Sequence, residues 1–399
     1  MRVGLNDTRG RTVNKPCSFV VFALCLALVF CPTACSDLPA SLSEGVPTTG
    51  AALPATTAAM AGAEGATAGA GPGAPAVAAL TGPGAWTQLH PSGELPPGRS
   101  NQSVVFEHYR GGAFVFGGSS HLGLASDTWG YDPSANAWTE LGFTGATPDA
   151  RFDSAMAWDS DDGKVYLFGG QNQTTYFNDI WAYDSKSDAW IYLGPPNTLP
   201  PARSGCVMAY DSVGRRVILF GGASYPAGCS SETWALDGRA NAWTNLNPSG
   251  TLPPARYLGA MVYNASSGRA ILFGGTDGST SLNDTWAYDP VTNAWIDLSP
   301  SGAVPPARSM FGIAYDSGKD RVVVFGGLNS TPTSATYLND LWAYDAAANT
   351  WTELSPPGTI PSARTGASLV FDSLSGDLLL FGGWDGESEL NDLWAYRLP

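Results

Sequence analysis

The chain is 399 residues long and carries 35 Asp and Glu against 20 Lys and Arg, a formal net charge of −15. That balance argues against binding nucleic acid by phosphate neutralisation and against adhesion to anionic lipid headgroups. With 48 glycines, 30 prolines and 14 tryptophans but only three histidines, the composition is turn-rich and aromatic and offers little for a transition-metal centre.

Residues 1–35 differ in kind from the rest. Arg2, Arg9, Arg11 and Lys15 precede an apolar run from Phe19 to Cys31, ended by Pro32, which is the charged and apolar layout of a secretory signal. The run has 13 residues, short of the roughly 20 that span a bilayer. Pro32-Thr33-Ala34-Cys35-Ser36 resembles a bacterial lipoprotein cleavage site, which implies lipidation of Cys35 and a cell-envelope location. Pro32 stands where that pattern has leucine, so ordinary cleavage and free secretion stay open. Residues 36–85 are mostly Ala, Gly, Pro and Thr, too poor in apolar bulk to form a core, and are expected to be a disordered tether.

From Trp86 onward the chain repeats. Phe-Gly-Gly recurs at Phe116, Phe168, Phe220, Phe273, Phe325 and Phe381, in steps of 52, 52, 53, 52 and 56 residues, the mark of a repeated supersecondary unit. An arginine opens each unit (Arg99, Arg151, Arg203, Arg256, Arg308, Arg364), and an aromatic follows seven residues later. After the glycines come an acid and, two places on, a tryptophan: Asp127/Trp129, Asp179/Trp181, Glu232/Trp234, Asp284/Trp286, Asp340/Trp342 and Asp392/Trp394. Five units add a second tryptophan (Trp138, Trp190, Trp243, Trp295, Trp351) behind a turn.

The segments are short, β-branched or aromatic, and bounded by Gly, Pro, Asn and Asp, so each unit predicts four strands: a from the arginine, b into the glycines, c with the first tryptophan and d with the second. A four-stranded sheet cannot cover its own faces, whereas sheets stacked radially can. The sixth unit ends at Pro399 without strand d, and Trp86-Thr87-Gln88-Leu89, 52 residues before Trp138, supplies the missing piece. The expectation is an all-β propeller of six blades over residues 86–399, closed by the N-terminal strand, with no open edge.

The glycine pair, Trp-Ala-Tyr-Asp and the second tryptophan resemble the kelch family. The resemblance implies a six-bladed kelch-type β-propeller with the b–c and d–a loops on one face, commonly a binding face, and implies no single activity. Copper oxidases on such propellers use histidines and a modified tyrosine–cysteine pair. The histidines here (His90, His108, His121) share no ligand spacing, so neither metal nor cofactor is expected. Asp277-Gly278 and Asp385-Gly386 read as turns rather than calcium loops.

The arginines and acids recur in every unit and fall at one end of the blade, so structural pairing outweighs a binding ring. The d–a connection is always ten residues from leucine to arginine, whereas the b–c loops vary and blade 5 has the largest, from Leu328 to Asn339. These loops carry the off-pattern rings His121, Tyr176, Phe177, Tyr225, Tyr337 and Trp384. They are candidate partner-binding residues, although some could instead cover the blade tops. Cys206 and Cys229 fall at one end of blade 3, and a disulfide between them suits an oxidising compartment. The expected function is a non-enzymatic binding scaffold of the cell envelope or extracellular space. It would be monomeric, engage a protein or glycan, and touch a membrane only through a lipid anchor. The alternative is a kelch-type sugar enzyme such as a mutarotase, with a carboxylate and an arginine in the central pocket.

Overall fold

The computed structural model describes residues 82–195 and 198–399; the signal, Cys35 and nearly all of the tether lie outside them. Six four-stranded antiparallel sheets follow the repeat, each in the order a-b-c-d. In blade 4 these strands are Ala260–Asn264, Arg269–Phe273, Thr285–Asp289 and Ala294–Asp297. Strand a of each blade packs beside strand a of the next, and the sixth adjoins the first. Blade 6 takes its outer strand from the N-terminal side: Trp86 pairs with Tyr396 and Leu89 with Leu393. The predicted six-bladed propeller and its closure are both as the repeat implies.

One contact repeats around the ring and explains the spacing of the aromatics. The phenylalanine ending strand b packs against the second tryptophan of the following blade, with centroids 4.8–5.4 Å apart: Phe116–Trp190, Phe168–Trp243, Phe220–Trp295, Phe273–Trp351, Phe325–Trp86 and Phe381–Trp138. Trp86 does for blades 5 and 6 what the other five do elsewhere. The indole N–H of Trp190, Trp295 and Trp351 also donates to Thr128, Thr233 and Thr285. Trp138 and Trp243 share their clusters with Leu393 and Ile180, which occupy the threonine position, and their N–H groups have no acceptor among the described residues.

Strand a starts four residues after the arginine, not at it: Arg99 precedes Ser103–Glu107. The intervening segment turns through the left-handed region at the second residue after each arginine. Asn101, Asp153, Gly205, Leu258, Met310 and Gly366 have φ between 51° and 65°. Leucine and methionine seldom adopt this conformation, and a closed hydrogen-bond ring holds it. Asp153 N–H donates to Asn101 O, Gly205 to Asp153, Leu258 to Gly205, Met310 to Leu258, Gly366 to Met310 and Asn101 to Gly366, at 2.7–3.1 Å. The glycine pair lies one layer outward. The second glycine N–H donates to the next blade's arginine carbonyl, as Gly118 does to Arg151. A Cβ on Gly117 would stand 2.6 Å from that same oxygen, so only glycine fits.

Candidate functional site: the b–c face and the channel mouth

The six repeat arginines are buried and each makes an ion pair with the acid of its own blade at 2.5–2.7 Å. Their forks also donate to the first glycine's carbonyl, as Arg256 does to Gly274. The same acid accepts the indole N–H of the tryptophan two residues on, at 2.7–3.2 Å. Burial pushes the Asp127, Glu232 and Asp284 carboxyls up, but the facing guanidinium outweighs it and holds all three below their ordinary values. Every blade therefore closes an arginine–acid–tryptophan unit inside itself, leaving no charged ring to present to a ligand.

The six a strands enclose a central channel with a cavity of about 550 Å³. Its wall is apolar where Val104, Met156, Met208, Met261, Ile313 and Leu369 line it. The left-handed ring lines the end nearest the b–c loops, and at that ring one blade departs from the others. Asp153 is a carboxylate where the other blades carry Asn, Gly, Leu, Met and Gly. It is half-buried. Burial pushes its pKa up to about 7, opposed only by the Gln171 side-chain amide. Tyr176, Tyr257 and Cys206 lie close enough for its charge to act on them. Sequence reasoning passed over Asp153. Aligning the second residue after each arginine would have shown it as the one acid at that position.

A native carboxyl titrating near 7 has a defined consequence for stability. Its folded pKa lies above the ordinary carboxyl value, so its ionisation costs nothing below about pH 4. The cost grows as pH rises towards 7 and is constant above. A shift of this size is worth at most about 4 kcal/mol, and solvent at a half-buried carboxylate brings the expected figure nearer 2 kcal/mol. Asp153→Asn should therefore match the wild type in thermal melts at pH 4 and melt higher at pH 8. Asparagine also suits the left-handed backbone, as Asn101 shows in blade 1. An equal difference at both pH values would contradict the assignment.

The six sequence candidates fall into separate places. His121 is exposed on a small hairpin of blade 1. The Phe177 ring covers the Arg151 guanidinium at 3.9 Å, so it belongs to the frame of blade 2. Tyr176 is half-buried, its hydroxyl pushed up in pKa by burial and approached by the backbone of Tyr225, whose own ring is 73% exposed. Tyr337 is exposed and lies against Gly386 of blade 6. Trp384 is half-buried, and its backbone bridges Thr365 and Glu389. The structure thus joins Tyr176 with Tyr225, and Tyr337 with the Trp384 loop, while His121 stands apart.

The enlarged b–c connection of blade 5 is not an irregular loop. Strands Arg321–Thr331 and Ser334–Asp345 pair out to Thr331 and Ser334, forming an arm continuous with strands b and c and longer than the two-residue hairpins of blades 1 and 3. It is braced on the blade 4 side, where Ser281 N–H donates to Ser330 O at 2.9 Å, and on the other by Tyr337 against blade 6. Asp277 and Asp385 accept the N–H groups of Ser279, Thr280, Glu387 and Ser388, the turn role expected of them. Among the described residues, no group of three or more His, Cys, Asp or Glu is placed to hold a metal ion.

The expected disulfide is not formed: Cys206 and Cys229 are free thiols. Cys206 is buried under Gly222, and burial pushes its pKa up to about 12. Cys229 sits on the pair Ala223–Ser224 with Gly228–Cys229, and its thiol donates outward to Asp277 O of blade 4 at 3.3 Å. The two side chains share an end of the blade but point to different neighbours.

The family model for the KLHDC2/KLHL20/DRC7 Kelch-repeats domain matches residues 80–212 and 208–399. Kelch domain-containing protein 10 of Xenopus laevis is 29% identical over 260 residues, 60% of this chain and 61% of that protein. The human protein of the same name is 28% identical over 260 residues, 60% and 57%. Rab9 effector protein with kelch motifs of Xenopus laevis is 31% identical over 218 residues, 53% and 57%. The chain spans about three fifths of the length of these relatives. Together the two matches cover all six blades, and the chain belongs to the kelch-repeat β-propellers.

Proposed function

We propose that this chain is an exported, non-enzymatic binding propeller that docks a protein partner on its b–c face. The observation that carries the reading is the braced arm of blade 5. A rigid, hydrogen-bonded projection with an exposed tyrosine loses little conformational freedom on binding, and aromatic anchors dominate interface energies. The relatives support a protein-interaction role, and one is named as a Rab9 effector. The leader supports export, with Cys35 as the point of attachment if the chain stays in the cell envelope. A mutarotase-like site would place an arginine beside a channel carboxylate; the residues lining the cavity include Asp153 and no arginine.

The test is capture of envelope and extracellular proteins, with a glycan array run beside it, using wild type, Tyr337→Ala and Trp384→Ala. Each substitution should weaken binding by about 2 kcal/mol and leave the melting temperature within a few degrees. Unchanged affinity for both variants removes this face from consideration. Binding that falls only with the folded fraction makes the two rings structural, and a glycan hit sensitive to both variants replaces the protein partner with a sugar.

A further inference from the structure

Asp153 has features that partner docking on the loops does not explain. Its backbone N–H and C=O are both consumed by the ring, so only the side chain is available to a ligand. It lines the cavity and is half-buried, so a small solute can reach it. Among the described residues no Lys, Arg or His acts on it, and its only favourable neighbour is the neutral Gln171 amide. The carboxylate thus stands without a counter-ion among the described residues, unlike the six repeat acids, each of which is paired with an arginine. Beside it are the phenols of Tyr176 and Tyr257, from blades 2 and 4, and electron-rich rings attract cations. Below it the cavity wall includes Met156, Met208 and Met261, each also packed in a cluster between blades, and methionine adapts to an alkyl stem.

We propose that the b–c mouth of the channel binds an organic cation, an ammonium group on an alkyl stem, with Asp153 as its counter-ion. The ammonium replaces the missing ion pair, the phenols flank it, and the stem enters the methionine-lined channel. Two sources carry this chemistry, a free alkylamine and the lysine side chain of a docked protein. The inference stands apart from the protein-binding reading, because a free amine occupies the site with no partner present.

The titratable groups around Asp153 make the binding measurable by its protons. Burial pushes Tyr176, Tyr257, Cys206 and Cys229 up in pKa, so all four are neutral at pH 7, and Asp277 is held below its ordinary value and stays ionised. Asp153 alone changes charge there, and pairing with an ammonium must release its proton.

The experiment is calorimetric titration of the full chain at pH 7 with n-hexylammonium chloride, with Nα-acetyl-lysine amide and with neutral 1-hexanol, in two buffers of different ionisation enthalpy. Hexylammonium should bind with proton release, and Asp153→Asn should weaken it at least tenfold and abolish the release, while hexanol binds both proteins alike. Binding of the lysine amide with the same dependence on Asp153 extends the site to a partner's side chain. Binding of hexylammonium alone restricts the site to free amines. No binding of either amine, or equal binding to Asp153→Asn, overturns the proposal. So does hexanol matching hexylammonium on the wild type, because the site would then be apolar only. A tyrosine control separates charge from folding: Tyr257→Phe keeps the carboxylate and should retain the proton release.

Discussion

Removing residues 1–89 should leave a chain that aggregates or fails to fold, whereas removing residues 38–80 should leave the melting temperature unchanged. The first deletion takes away the outer strand of blade 6 and exposes the edge Leu393–Tyr396, a template for pairing with other chains. It also empties a buried position: Trp86 is 5% exposed and packs on Phe325 and Tyr396 with centroids 5.3 and 5.1 Å away. Truncating a buried tryptophan to alanine costs about 3–5 kcal/mol, and Leu89, buried against the next cluster, adds a comparable amount. Together these approach the whole stability of an ordinary domain, about 5–15 kcal/mol. Trp86→Ala alone should destabilise by about 3–5 kcal/mol, as should Trp351→Ala at the equivalent position of blade 5. Denaturant melts with size-exclusion chromatography check this, and equal melting of the two deletions would refute closure through Trp86.

The second large effect belongs to the repeat arginines. Arg256→Met should cost about 3–5 kcal/mol, because it leaves a carboxylate facing a site built for a cation. Arg256 is 1% exposed, donates to Pro254 O and Gly274 O at 3.0 Å, and forks onto both oxygens of Asp284. Its backbone ties blade 4 to blade 3, N–H to Ser230 O and C=O from Gly222. Arg256→Lys keeps the charge but not the planar fork, so it should cost less than Met and more than a surface substitution. Adding Asp284→Asn to Arg256→Met should recover part of the loss, since the unpaired charge is gone. Because Arg256 holds the Asp284 carboxyl below its ordinary value, the pair's stabilisation is present above about pH 4 and is lost as pH falls through the folded value. Urea melts of the variants at pH 7 and pH 3 read both effects. A penalty for Arg256→Met that is no smaller at pH 3 would contradict the ion-pair account.

The blades were legible because each demand on them is local or repeats in register. A glycine pair with positive φ, a phenylalanine before it and a tryptophan at fixed spacing are visible in one unit and confirmed by five others. Closure was legible for the same reason: Trp86-Thr87-Gln88-Leu89 is a strand d displaced to the other end of the chain. The acids and arginines also read correctly as structural, since what every blade carries cannot single out one site.

Asp153, the two cysteines and the arm of blade 5 were not legible in the same way. Asp153 draws its character from burial and from Gln171, and its charge acts on Tyr176, Cys206 and Tyr257 of three blades; a carboxylate's environment cannot be read from its neighbours in sequence. Cys206 and Cys229 share an end of one blade, but which way each thiol points depends on Gly222 and Asp277. The twelve residues from Leu328 to Asn339 suit a loop as well as a hairpin, and the contact of Ser281 with Ser330 favours the hairpin.

By itself, then, the sequence determined the architecture: six sheets, their order and the strand that closes them, because periodic side-chain patterns select a sheet and its register. Tertiary structure decided what is asymmetric: the ring of left-handed residues bonded from blade to blade, the carboxylate standing in it without a counter-ion, and the one arm that projects. Those features depend on hydrogen bonds and electrostatics between segments that meet only when the ring is closed.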